Sequence, residues 1–211
     1  MFKDRTAAGK LLAKELGFLK GRRDVVVLAV PRGGVVVAKE VAASLEAELD
    51  LVIARKIGAP GNPEYAIGSV TQDGEVIVEK ESASALGVTE EYLKREASEQ
   101  SKEIRARIKN YRAERPYPVL AGKTVVIVDD GLATGYTMMA AILSVKKSGA
   151  AGVIVAVPVG PRDTVAKLSL VADEVVCLDS PGAFYAVGEF YEHFDQVDDE
   201  AVREALGKGP S

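Results

Sequence analysis

Two adjacent carboxylates, Asp129 and Asp130, close an unbroken apolar run, Thr124-Val125-Val126-Ile127-Val128. Such a run predicts a strand buried on both faces. Gly131-Leu132-Ala133-Thr134-Gly135-Tyr136-Thr137 follows, and residues 138–147 read as a helix. A small-residue turn that opens a helix can hold a phosphate on its backbone N–H groups, with threonine hydroxyls beside them. Open α/β sheets bind ligands at the carboxyl ends of their strands, where the two acids stand. The predicted chemistry is therefore recognition of a phosphorylated ligand.

A second strand–turn–helix unit lies earlier. Residues 24–30 form an apolar strand, Pro31-Arg32-Gly33-Gly34 breaks it, and residues 35–47 resume with helical periodicity. Its turn offers two glycines, which let backbone approach a ligand, and one arginine. Residues 50–54 read as a short strand closed by the basic pair Arg55-Lys56, and the Gly/Pro-dense residues 57–63 as a loop. Residues 66–71 and 75–79 flank Gln72-Asp73-Gly74 as a hairpin, and residues 89–115 form a long charged helix. An amphipathic helix at 5–20, ended by Gly21, precedes the first strand. Apolar strands at 152–159 and 174–178 follow the acidic loop, with a helix at 162–171 between them. The alternation predicts an α/β fold: a central, mostly parallel sheet with helices on both faces. The whole chain, 1–211, reads as one domain, with 57–115 as a flap or helical insertion and the aromatic tail 179–211 as a hood.

Composition narrows the function classes. The 211 residues carry a net charge of −4 and a pI near 5.3, which argues against a nucleic-acid partner. The basic residues Lys94, Arg95, Lys102, Arg105, Arg107, Lys109 and Arg112 alternate with Glu96, Glu99, Glu103 and Glu114, as on a salt-bridged, solvated helix face. One cysteine, Cys177, excludes an intramolecular disulfide and a cysteine zinc site, and His193 is the only histidine. No metal site of the chain's own is expected. The N-terminus lacks the apolar core of a signal peptide and no run is long enough to span a membrane, so a cytoplasmic location is expected.

Several phosphate motifs fail. Only three residues separate Gly131 and Gly135, and Tyr136 stands where a nucleoside-triphosphate loop needs lysine. The chain contains no G-x-G-x-x-G and no G-x-S-x-G. Residues 126–138, Val-Ile-Val-Asp-Asp-Gly-Leu-Ala-Thr-Gly-Tyr-Thr-Met, instead resemble the signature of the type I phosphoribosyltransferases, and most closely that of the adenine enzymes. Two solvated acids before a capped helix would account for Asp129 and Asp130 separately, but not for the whole run.

The resemblance implies a 5-phosphoribosyl-1-pyrophosphate (PRPP) site on the fold of that family. Asp129 and Asp130 would accept hydrogen bonds from the ribose 2′ and 3′ hydroxyls. Ala133, Thr134, Gly135, Tyr136 and Thr137 would hold the 5′-phosphate. Pro31, Arg32, Gly33 and Gly34 resemble the pyrophosphate loop, for which a non-proline cis peptide is expected. Arg55 and Lys56 resemble the basic pair that faces pyrophosphate, and with the two acids make up the expected catalytic set. Mg²⁺ would arrive with PRPP, the second substrate would be a base, and a homodimer is the default assembly. Phe184 or Tyr185 is the candidate for stacking on the base, against an equal claim for a core role.

The chain departs from the family in places. Ala59-Pro60-Gly61-Asn62-Pro63 replaces the lysine and Leu-Pro that follow the basic pair in adenine enzymes. Ala133 stands where hypoxanthine-guanine enzymes carry an aspartate near the purine. Glu64 could act on the incoming base, although a solvated loop acid is the simpler reading. The expected function is transfer of the phosphoribosyl group to a nitrogenous acceptor. The alternative is a non-catalytic sensor of PRPP or a nucleotide. The sequence does not name the acceptor.

Overall fold

A computed structural model describes residues 1–112 and 115–207, with the side chain of Glu64 outside the description. Five parallel strands form the main sheet in the order β2-β1-β6-β7-β8: β1 (Val25–Ala29), β2 (Glu48–Leu51), β6 (Thr124–Val128), β7 (Gly152–Val159) and β8 (Glu174–Asp179). Successive residues of these strands enter opposite faces, because side chains alternate across a strand. Val25, Val27, Val126, Val128 and Ile154 pack on one side, with α1 (Arg5–Glu15) and α2 (Gly33–Leu45). Val26, Leu28, Val125, Ile127 and Val155 pack on the other with Met138, Ile142 and Val145 of α5 (Tyr136–Lys147) and Leu168 of α6 (Arg162–Leu168). The parallel sheet with helices on both faces is thus the expected architecture, and both faces are dry.

A second, antiparallel sheet takes the order β3-β4-β5: β3 (Arg55–Ala59), β4 (Asn62–Val70) and β5 (Val76–Val78). The expected hairpin around residues 72–74 is present as β4–β5, with Gly74 at φ 86°. The loop expected at 57–63 is not. Those residues are the tip of the β3–β4 hairpin, turning at Gly61 with φ 74°. Arg55 and Lys56 therefore open β3 and do not close β2, which already ends at Leu51. Ile57, Ile67 and Val70, all fully buried, pin this sheet to the core beside Ile104 and Tyr111 of α4 (Glu90–Arg112).

Boundaries and elements also differ from expectation. The first helix ends at Glu15 and a 3₁₀ turn at Gly17–Leu19 replaces its last turn, the glycine weakening the helix there. A short α3 (Lys80–Ala85) follows β5, and the tail contains α7 (Asp199–Gly207); neither was anticipated. The long helix is described to Arg112; residues 113–114, Glu114 among them, lie outside the described residues, and Arg115, its expected last residue, is not helical. On its solvated face Lys102 pairs with Glu99 at 2.7 Å and Lys94 with Glu90 at 3.6 Å. No helix among the described residues is long and apolar enough to cross a membrane.

Candidate active site

β6, the central strand, delivers Asp129 and Asp130, both half-buried, at its carboxyl end. Asp129 Oδ1 accepts the Asp130 backbone N–H at 2.8 Å. Asp130 is held twice from elsewhere in the chain: Arg5 Nε donates to its Oδ2 at 2.7 Å, and the Tyr191 hydroxyl donates to its carbonyl at 2.6 Å. Burial first, then the neighbouring charge of Asp130, pushes the Asp129 carboxyl well above the usual carboxylate range. Burial raises the Tyr191 hydroxyl too, so it remains a donor.

The turn after the acids is built by close approach. Gly135 sits at φ 81° as the N-cap of α5, and a Cβ there would lie 2.7 Å from Thr164 Cγ2. Thr164 of α6 donates its hydroxyl to the Ala133 carbonyl at 2.9 Å, tying the turn to the next helix. No side chain caps α5, so its first N–H groups stay directed at the turn. A cavity of about 170 Å³ is lined by Asp129, Ala133, Thr134, Gly135, Thr137 and, from the tail, Val187. Tyr136 leaves that cavity; its ring borders a neighbouring one of about 340 Å³, and its hydroxyl bonds Glu79.

The turn after β1 lies directly on the acidic pair. A Cβ on Gly33 would sit 1.8 Å from Asp130 Oδ2, and one on Gly34 would sit 2.8 Å from Asp129 Cα. Only glycine fits at either position. The peptide between Pro31 and Arg32 is cis, where a non-proline cis bond was expected. Arg32, half exposed, reaches Asp199 of α7 at 3.5 Å.

Other expected site residues lie apart. Arg55 and Lys56 line a separate cavity of about 610 Å³ between the β3–β4 hairpin and α4, with Tyr92, Arg95 and Gln100. Arg55 Nε donates to Gln100 Oε1 at 2.8 Å. Phe184 stacks on Phe190 at 5.2 Å and packs against the small cluster of Ala8, Val159 and Tyr191, whereas Tyr185 is 87% exposed. The residue that the tail contributes to the acidic-loop cavity is Val187. The sequence reading gave no site role to Arg5, Tyr191, Thr164 or Val187; Arg5 and Tyr191 lie 125 and 61 positions from Asp130, and no local spacing links them to it.

Comparison with known proteins agrees on the family. The model of the phosphoribosyl transferase domain matches residues 3–192. Two Mycobacterium tuberculosis proteins, from strains CDC 1551 and H37Rv, are each 43% identical over 202 residues and bear the name "Putative phosphoribosyl transferase". The match covers 96% of this chain and 45% of theirs, so the chain spans about half the length of these relatives. The crystal structure of TT1426 from Thermus thermophilus superposes with a TM-score of 0.85 at 45% identity, covering 100% of both chains.

Proposed function

Because the chain belongs to the phosphoribosyl transferase domain family, we propose that it transfers the 5-phosphoribosyl group of PRPP to a nitrogenous base or similar acceptor, releasing pyrophosphate. One observation supports the reading: the turn at Gly33 and Gly34 packs directly against Asp130 and Asp129, which brings the loop that suits pyrophosphate beside the acids that suit the ribose. In this reading Asp129 and Asp130 accept the ribose hydroxyls. The 5′-phosphate rests on the N–H groups and threonine hydroxyls of residues 133–137. Pyrophosphate lies along residues 31–34, opposite Arg32, with Arg55 and Lys56 approaching from the second sheet. The C1′–oxygen bond to pyrophosphate breaks as a C1′–nitrogen bond forms, and the proton of the acceptor nitrogen passes to the departing pyrophosphate. Holding the ribose still and stabilising the charge that grows on the leaving group are the protein's contributions.

Mg²⁺ arriving with PRPP is part of the same proposal. Among the described residues no cluster of three or more histidine, cysteine or acidic side chains could hold a metal. In this reading the ion is carried by the oxygens of PRPP, and the acidic pair is left to the ribose hydroxyls. Bound there, the ion would supply positive charge against the diphosphate. The second sheet with α4, and the tail, are proposed as the flap and hood that exclude water. Phe184 or Tyr185 is proposed to reach the base when the hood closes. A cytoplasmic homodimer completes the reading.

The position of Arg55 and Lys56 in a cavity apart from the acidic pair favours one rival, a sensor that binds PRPP without turnover. Incubation with PRPP, Mg²⁺ and a panel of purine, pyrimidine and other nitrogen bases decides between them. Pyrophosphate release with at least one base is expected, and Asp130→Asn should abolish PRPP binding, with a lower melting temperature because the shielded Arg5 guanidinium loses its countercharge. PRPP binding with no release across the panel would establish the sensor; full PRPP binding by Asp130→Asn would remove the acidic pair from the site.

A further inference from the structure

We infer that Arg5 is a positioning residue for the ribose, a role that rests on the reading above and adds the N-terminal segment to the working site. Its guanidinium is committed on three sides. Nε donates to Asp130 Oδ2 at 2.7 Å, Nη1 donates to the Asp195 carbonyl at 2.7 Å, and the guanidinium carbon lies 3.7 Å from the centroid of the Phe194 ring. The two side chains of the pair are 11% and 15% exposed, unlike the solvated bridges on α4. Shielded and hydrogen-bonded, this pair orients its carboxylate in a way that surface pairs do not.

Arg5 is itself fixed. Asp4 caps α1 by accepting the Ala7 N–H at 2.7 Å. The backbone of residues 2–3 pairs with the tail: Phe2 N–H donates to the Phe190 carbonyl at 2.7 Å, Glu192 N–H to the Phe2 carbonyl at 2.9 Å, and His193 N–H to the Lys3 carbonyl at 3.0 Å. Tyr191 grips the Asp130 carbonyl from the same segment. Gly33 closes the remaining side, since a Cβ there would lie 1.8 Å from Asp130 Oδ2 and 3.0 Å from Arg5 Nε. The Asp130 carboxylate is therefore held in one orientation before any ligand arrives. Arg5 also supplies the countercharge that lets two adjacent acids face one ligand. Pre-ordering removes the rotamer entropy that a free aspartate would lose on binding a hydroxyl. Lysine carries the charge but not the planar fork, and cannot make all three contacts at once.

The test is calorimetric titration of wild type, Arg5→Ala and Arg5→Lys with ribose 5-phosphate and, separately, with pyrophosphate plus Mg²⁺, alongside melting temperatures. Ribose 5-phosphate should bind Arg5→Ala about 10-fold more weakly or worse, as expected for loss of a well-placed charged hydrogen-bond partner. Arg5→Lys should recover part of that loss, and pyrophosphate should bind all three proteins alike. Equal weakening of both ligands would make Arg5 a structural residue and overturn the inference. So would ribose 5-phosphate binding by Arg5→Ala at wild-type strength. If wild type itself binds neither PRPP nor ribose 5-phosphate, the proposed function falls and the inference with it.

Discussion

Asp129 and Asp130 are neighbours in sequence with different surroundings. Asp130 has a guanidinium within 2.7 Å, whereas Asp129 is pushed up first by burial and then by the charge beside it. Asp130 is held by an ion pair and Asp129 by burial, so the two acids face the site differently. They also set a pH dependence. With its folded pKa above the unfolded value, Asp129 binds its proton more tightly in the folded chain. Its contribution to stability is therefore lost as pH rises from the ordinary carboxylate range through the raised value, and the full cost persists above it. Asp129→Asn keeps an oxygen for the Asp130 N–H and removes the cost. It should melt higher than wild type at about pH 7.5, with the gap closing as pH falls, while PRPP binding is lost. Thermal melts of both proteins across pH check this, and a variant less stable at every pH would refute it. The acidic pair was legible because strand, acids, turn and helix are contiguous. Its clamp was not, because Arg5 and Tyr191 come from the two ends of the chain.

Among the elements, the β3–β4 hairpin shows how punctuation can mislead. Gly58, Pro60, Gly61 and Pro63 look like a loop, yet glycine and proline also mark bulges and close crossings in strands. Here the register shifts at Gly58, and a Cβ on that glycine would lie 2.5 Å from the Pro63 carbonyl. Burial gives α4 a role its charged sequence concealed. Arg112 Nε reaches Asp50 Oδ1 at 3.0 Å and its Nη2 reaches Oδ2 at 3.2 Å, with Asp50 0% exposed. Burial pushes the Asp50 carboxyl up even so, with the Leu51 N–H and the arginine charge opposing. Arg112→Met would strand that carboxylate and should cost about 3–5 kcal/mol near neutral pH. The loss should shrink as pH falls and Asp50 takes a proton. Urea denaturation at two pH values measures both, and a penalty unchanged by pH would show that lost packing dominates.

For the molecule as a whole, fold class followed from apolar runs buried on two faces, while the β3–β4 half of the second sheet was masked by glycines and prolines that serve as a bulge and a close crossing. Chain ends complete the structure. Val202, Ala205 and Leu206 of α7 are buried, and Arg115 donates to the Leu206 carbonyl at 2.7 Å. A chain ending at Asp198 should therefore lose roughly 3–6 kcal/mol, the stabilisation that burying the Val202 and Leu206 side chains contributes. Its denaturation midpoint tests this; a midpoint equal to that of the full chain would show that the helix merely rests on the surface. The clamp on Asp130 carries a further consequence, for synthesis. Arg5 donates to a carbonyl 190 residues downstream, so a ribosome that has already made the acidic loop cannot yet have made its anchor. The acidic loop is thus made with Arg5 already in the chain but before Tyr191, which follows Asp130 by 61 residues, and before Asp195.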